Sequence, residues 1–355
     1  MSTATDAIAS CPAFQTELSN LFYTCNLGVD PISVVPFLYS DYNRTGIEFL
    51  VSPRSAKKRT VTAVYSQIID DSQVATKTGC DKVCTATTVR GDLTQDYSID
   101  CGGYRIEGIF DQADWIDSCT DNFTWINNQI AKMVAAMENK LSKGIVSQLG
   151  PLVGAWNEFV SYDMTVDADG YINVATLQSG GVNLNPTAWM KVDNAIRQTF
   201  CTDVFLSGGM KLYEYMQMTS NGCCMNANGM DIAQMMASFG RAVDYDQHVA
   251  STFGNDVTLA FQRGAVQILT LTHNMNGFTD ISQLNVTGGN TYSEGIINGP
   301  VTGLPMDLTI KYDCGKVHVI LEAQAKAVGM PIDMFPADHY MDGVTYLGGI
   351  QVVNP

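Results

Sequence analysis

The sequence predicts an α+β fold, with strands on either side of one long helix and a compact segment of alternating helix and strand between them. Three observations predict it. Apolar residues recur every three or four positions from residue 121 to residue 149. Stretches rich in β-branched residues occupy 60–110 and return after 308. Residues 185–275 alternate short strand and helix signals, as a small α/β lobe does.

Along the chain, Phe14, Leu18, Leu21 and Phe22 sit at helical spacing, and Pro31 and Pro36 then break the pattern. This reads as an N-terminal arm carrying a short helix. Arg54, Lys57, Lys58 and Arg59 form the one dense basic cluster. It suits docking onto an acidic surface, of a neighbouring copy or of nucleic acid; a solvated turn before a strand is the plainer reading. Strand-like runs follow at Thr60–Ile69, Val83–Val89, Asp96–Ile99 and Tyr104–Phe110, with Gly91-Asp92 and Gly102-Gly103 as turns. Large apolar residues are sparse here, so the stretch reads as a long hairpin that does not bury itself.

In the helix, Phe123, Ile126, Ile130, Met133, Val134, Met137, Leu141, Ile145 and Leu149 make one stripe, with Asp121 as N-cap and Gly150-Pro151 as the stop. At about 1.5 Å per residue it exceeds roughly 40 Å, long enough to be a spine. Tyr162–Val166 and Tyr171–Ala175 then form a hairpin around Ala168-Asp169-Gly170. Asn185-Pro186 predicts a helix start, with Asn as N-cap and Pro as first helical residue, running to about Thr199. A strand at Asp203–Leu206, helices at Met210–Met218 and about 230–239, a hairpin at Leu308–Leu321 turning on Asp313-Cys314-Gly315, and a last strand at Thr345–Val353 complete the pattern.

Composition narrows the function. The 355 residues carry 36 acidic against 20 basic side chains, a net charge of −16, which disfavours a dedicated phosphate-gripping protein. Only 16% of residues are charged and 17 are Met, a bias shared with surfaces that become interfaces. The ten Cys include no C-x-x-C pair, the N-terminus lacks the pattern of a signal peptide, and no apolar run reaches membrane-spanning length. The expectation is free thiols in a reducing cytoplasm. The Asn-x-Ser/Thr triplets at Asn43, Asn122 and Asn285 are then chance occurrences.

The motifs of catalysis fail at named positions. Ser207-Gly208-Gly209 lacks the preceding glycine of a nucleophile elbow, and a plain strand-to-helix turn explains it. Gly315-Lys316 lacks the rest of a phosphate-binding loop. His248, His273, His318 and His339 have no metal-ligand spacing. Asp167 and Asp169 would fit a calcium loop only with Thr165 and Thr176 in place of its outer ligands. Asp70-Asp71, and Glu214 with Asp244 and Asp246, are carboxylates whose convergence the sequence does not establish.

The order of elements, together with Asn185–Arg197 (NPTAWMKVDNAIR), Val204–Glu214 (VFLSGGMKLYE), Asp307–Leu321 and Met334–Asp338 (MFPAD), resembles the major capsid protein of tailed bacteriophages, a shell fold shared with encapsulins. The resemblance implies an N-terminal arm (1–54), an extended β loop (55–105), a peripheral domain with the spine helix and a β-sheet (106–180 and 276–355), and a central α/β axial domain (181–275). It implies a structural subunit, not an enzyme, forming hexamers and pentamers of an icosahedral shell around double-stranded DNA. The shell would be assembled in the host cytoplasm, and the subunit would reside in the virion. Scaffolding, portal and decoration proteins would be partners, packaged DNA would be contacted non-specifically, and membranes would not. The resemblance implies no catalytic residue, cofactor or metal, and Arg54, Lys57, Lys58 and Arg59 become candidate inter-subunit contacts. The alternatives are another virion component, a tail or fibre protein, or an α/β enzyme centred on 185–275.

Overall fold

The structure is a computed structural model. It describes residues 29–43, 48–49, 60–66, 92–99, 103–111, 122–154, 156, 164–178, 183–185, 187–200, 203–221, 243–273, 291–313, 316–329 and 347–353. The helices expected at 14–22 and 230–239, the strand at Val83–Val89 and the cap at Asp121 lie outside these residues.

The chain is α+β, as expected; the described residues form three sheets and one long helix. Helix α1 (Val34–Tyr39) is not among the expected helices, and Pro36 lies within it. Pro36 falls in the first turn, where its missing N–H has no intrahelical partner to lose. Val34, Val35 and Leu38 of this short helix enter the core.

The first sheet is an antiparallel ribbon of β1 (Glu48–Phe49), β2 (Thr60–Ser66) and β3 (Asp92–Ser98). Thr60 pairs with Ser98 and Ser66 with Asp92, so Asp92 belongs to a strand and not to the expected turn. The second sheet runs β10 (Thr291–Asn298), β11 (Pro305–Asp313), β12 (Lys316–Gly329), β4 (Tyr104–Asp111), all antiparallel. Its organiser is β12, 14 residues long, whose first half lies between β11 and β4 and whose second half pairs with β9 (Val266–Leu271). The expected turn at Asp313-Cys314-Gly315 agrees with the pairing of Asp313 to Lys316.

Helix α2 (Asn122–Leu149) lies on this sheet. Its stripe of Ile130, Met133, Val134, Met137, Leu141, Ile145 and Leu149 is buried, while Lys132, Lys140 and Lys143 face solvent. The stripe shares one core with Val317, Val319 and Leu321 of β12, alternate residues that period-2 geometry places on one face. At about 1.5 Å per residue, α2 is about 42 Å long. A 3₁₀ turn at Gly150–Leu152 ends it where the sequence places the stop.

The third sheet is mixed: β5 (Ile172–Val174), β13 (Leu347–Val352), β8 (Val257–Gln262), β6 (Val204–Gly208), β7 (Val243–Tyr245). Helices α3 (Ala188–Thr199) and α4 (Met210–Asn221) cover it, sharing a second core of Trp189, Ile196, Leu212 and Met216 with Leu206, Val243 and Ile350. Asn185 does not cap α3. Its Oδ1 accepts from the N–H and hydroxyl of Thr187, and this local turn delays the helix to Ala188. The expected hairpin at 162–175 is small, with Val166 bridging Ile172 and Gly170 at φ 84° in the turn.

Strand pairing crosses the segment boundaries read from the sequence. β5 and β13 come from outside 181–275 and join the sheet of β6, β7 and β8, whereas β9 comes from inside it and joins β12. The corner Arg263-Gly264-Ala265 separates β8 from β9, so two neighbouring, fully buried strands serve different sheets. A last helix, α5 (Gln247–Phe253), lies against α2.

Candidate assembly surface

Two buried polar residues tie the segment 29–43 to the body. Asp246 is fully buried and sits at the N-termini of two helices. Its Oδ1 accepts from the N–H groups of His248 (2.8 Å) and Val249 (3.0 Å), capping α5. Its Oδ2 accepts from Ser33 (2.9 Å) and Val34 (3.0 Å), at the start of α1. Two orphan helix ends, each rich in unsatisfied donors, therefore share one carboxylate. The Ser33 and Ser207 hydroxyls share a 2.5 Å hydrogen bond beside it, and Gln247 N–H donates to Pro31.

Asn43 holds the other end. Its amide donates to the carbonyls of Leu38 (3.0 Å) and Val266 (2.8 Å), its Oδ1 accepts from Gly264 N–H, and its carbonyl accepts from Gln267. Between the clamps, Phe37 stacks on Phe205 with 4.0 Å between ring centroids. Exposed Tyr42 donates to Asp203 and lies under Arg263. Asn43 begins one of the Asn-x-Ser/Thr triplets, and its engaged, buried amide agrees with reading that triplet as chance.

The β2–β3 ribbon stands on the body through a small apolar footing. Ala63, Tyr97 and Ile99 pack with Leu269, Leu271 and Val328 at the joint of β9 and β12, and Lys326 Nζ donates to the Ser98 carbonyl at 2.9 Å. Thr60, Thr94, Gln95, Asp96 and Ser98 are exposed. The second sheet offers another open surface, the face of β4 turned away from α2. There Arg105, Glu107 and Ile109 alternate outward, and Ile109 is 61% exposed. Ile109 pairs with His318 and Glu107 with the half-buried Ile320. Exposed ion pairs surround them: Arg105 with Glu107 and with Glu322 (3.4 Å), Lys311 with Asp313 (3.7 Å), and Lys316 with Asp111 (3.8 Å). Such pairs contribute about 0–1 kcal/mol each in water, so they shape a face without closing it.

Arg54, Lys57, Lys58 and Arg59 lie outside the described residues, immediately before β2. The tested chemical motifs resolve into structure. Ser207 is buried, and its Oγ is engaged by Ser33. Gly209 and Lys211 N–H groups donate to Val257 and Asn255, so those α4 amides serve the fold. Asp167 Oδ1 accepts from the Asp169 and Tyr171 N–H groups, which builds the hairpin turn. Asp246 is spent on its two caps; burial pushes the Asp244 carboxyl above its ordinary range. Among the described residues no group of three or more His, Cys, Asp or Glu is placed to hold a metal, and no helix is long and apolar enough to cross a membrane. The sequence reading missed Asp246 and Asn43 as clamps. Asp246, one residue before a helical run, carries a readable cap signal for α5; Asn43 carries none.

No family model matches the chain, and no curated protein does. Solved structures similar to it include the capsid asymmetric unit of cyanophage A-1(L), at 11% identity over 93% of this chain and 97% of that one, with a TM-score of 0.49. Mycobacterium phage Adephagia is similar at 14% identity over 92% of each chain, with a TM-score of 0.44. The capsid of the Myoviridae phage XM1 is similar at 10% identity over 90% of each, with a TM-score of 0.41.

Proposed function

We propose that this chain is a shell-forming structural protein, the major capsid protein of a tailed bacteriophage, which assembles with copies of itself and performs no catalysis. The observation that carries the reading is the β2–β3 ribbon. It rests on a footing of a few apolar side chains and leaves a polar face to solvent. A ribbon of two or three strands is marginal in water unless further surface covers it. Neighbouring subunits supply such cover when heterologous contacts close on themselves. The 42 Å helix, the clamped arm and the sequence resemblance support the same reading. On it, the exposed face around Ile109 and the ribbon are contacts between copies, and Arg54, Lys57, Lys58 and Arg59 dock onto an acidic neighbour. Scaffolding, portal and decoration proteins are its further partners, packaged DNA touches it non-specifically, and the virion is its location.

The test uses the ribbon's own register. Ser66 and Asp92 are paired across β2 and β3, so residues 67–91 can be replaced by a two-residue Asn-Gly turn. The unaltered chain, purified by size exclusion and imaged by negative stain, is expected to give closed polyhedral shells. The shortened chain is expected to give a folded, non-assembling subunit. Tubes from the unaltered chain would make it a tail component, and a monomer with turnover would make it an enzyme. Shells from the shortened chain, which keeps β2 and β3, would show that residues 67–91 are not needed for assembly. The ribbon itself is tested by placing charged residues at its exposed Thr94 and Gln95, and shells from that variant would refute its role.

A further inference from the structure

We propose that Glu138 is a proton-operated lock between α2 and the β10–β11 turn, closed when its carboxyl is neutral and opened when it ionises. Glu138 lies on the buried face of α2 with no exposed surface. Its Oε1 accepts three hydrogen bonds from the turn: Val301 N–H (3.1 Å), Thr302 N–H (2.8 Å) and Thr302 Oγ1 (2.8 Å). The turn is built around this oxygen. Gly303 takes φ 71°, Gly299 N–H donates to Leu304, and a Cβ at Gly299 would fall 2.2 Å from Oε1.

The other oxygen defines the lock. Oε2 is buried without a hydrogen-bond partner, and so is the hydroxyl of Ser142. The two residues are one helical turn apart on the same face, where side chains stand about 5–6 Å apart at Cβ. On this proposal the proton on Oε2 is donated to Ser142 Oγ once the Ser142 side chain turns toward it, with Oε1 left on its three donors, so the neutral acid satisfies both orphans. An ionised carboxylate leaves a charge in the core with one oxygen uncompensated.

Among the described residues no charged side chain perturbs the group. Burial, the largest effect, pushes its pKa above the ordinary 4.5, and the hydrogen bonds of Thr302 and Val301 oppose this without reversing it. The neutral groups around it are the two hydroxyls and, beside Gly303, Tyr39 of α1. A raised folded-state pKa means that the contribution to stability is complete below 4.5 and is lost as pH rises through the folded value. The turn next to α1 and the arm is therefore held more tightly in acid.

Hydrogen–deuterium exchange of the full chain, read on a peptide spanning 299–304 and corrected for intrinsic rates, tests this between about pH 5 and pH 8. Protection is expected to fall several-fold as pH rises. Glu138→Gln keeps the three acceptor contacts, and its amide donates to Ser142 Oγ, so protection should stay at the acid level throughout. Ser142→Ala covers the case in which that variant does not fold; it should lower protection several-fold at the acid end and leave the other end unchanged. A β8 peptide, from a different sheet, serves as the reference. The same pH trend in the unaltered chain and Glu138→Gln, or no effect of Ser142→Ala at either end, would overturn the proposal.

Discussion

The Ser33 amide donates to the Asp246 carboxylate at 2.9 Å across 213 residues of sequence. The same carboxylate caps α5, so one side chain fixes both where the arm enters the body and how α5 begins. Asp246→Ala would leave four buried donors unsatisfied, and the expected loss is about 2–4 kcal/mol, from a helix cap plus buried amide donors. Asp246→Asn is expected to be nearly as damaging, because its amide turns donors toward the Ser33 and Val34 N–H groups. Chemical denaturation checks the size of the loss, and limited proteolysis near residue 33 checks its place.

Asn43 fails differently. Asn43→Asp sets a carboxylate oxygen against the Leu38 and Val266 carbonyls while Gly264 N–H still finds an acceptor. The expected cost is about 2–3 kcal/mol, because buried donors become repelling acceptors. Thermal unfolding measures it. A change below about 0.5 kcal/mol, ordinary for surface sites, would show that Asn43 is not a clamp.

The ribbon's footing separates local from global stability. Leu269→Ala removes buried methyls beneath Ala63, Tyr97 and Ile99 and is expected to cost about 2–4 kcal/mol. Faster exchange across β2 and β3 than across β8 would place the damage in the ribbon, and on the shell-forming reading the yield of assembled particles falls with it.

Among the described glycines, Gly349 has the least room. A Cβ there would sit 1.6 Å from the Tyr171 ring, while the neighbouring Gly348 faces Trp156 on the other side of β13. Gly349→Ala is expected to cost about 1–3 kcal/mol by overpacking. Tyr171→Ala made together with it should recover part of that loss, which a double-mutant cycle reads directly.

The signals that were legible in the sequence are local ones. The stripe from Ile130 to Leu149, the alternation of Val317, Val319 and Leu321 and the turn at Asp313-Cys314-Gly315 each depend on a few neighbouring residues and a fixed period. They were enough for the α+β class and the spine. Where a competing local interaction intervened the reading slipped: the Asx turn of Asn185 delayed α3, and the tolerance of a first turn for proline admitted Pro36 to α1. Only the tertiary structure decided that β8 and β9, three residues apart, belong to different sheets, that β12 serves β11, β4 and β9, and that Asp246 caps a helix 213 residues away. Those choices are made by which distant donors and apolar faces can be satisfied together, and no stretch of sequence carries that information alone.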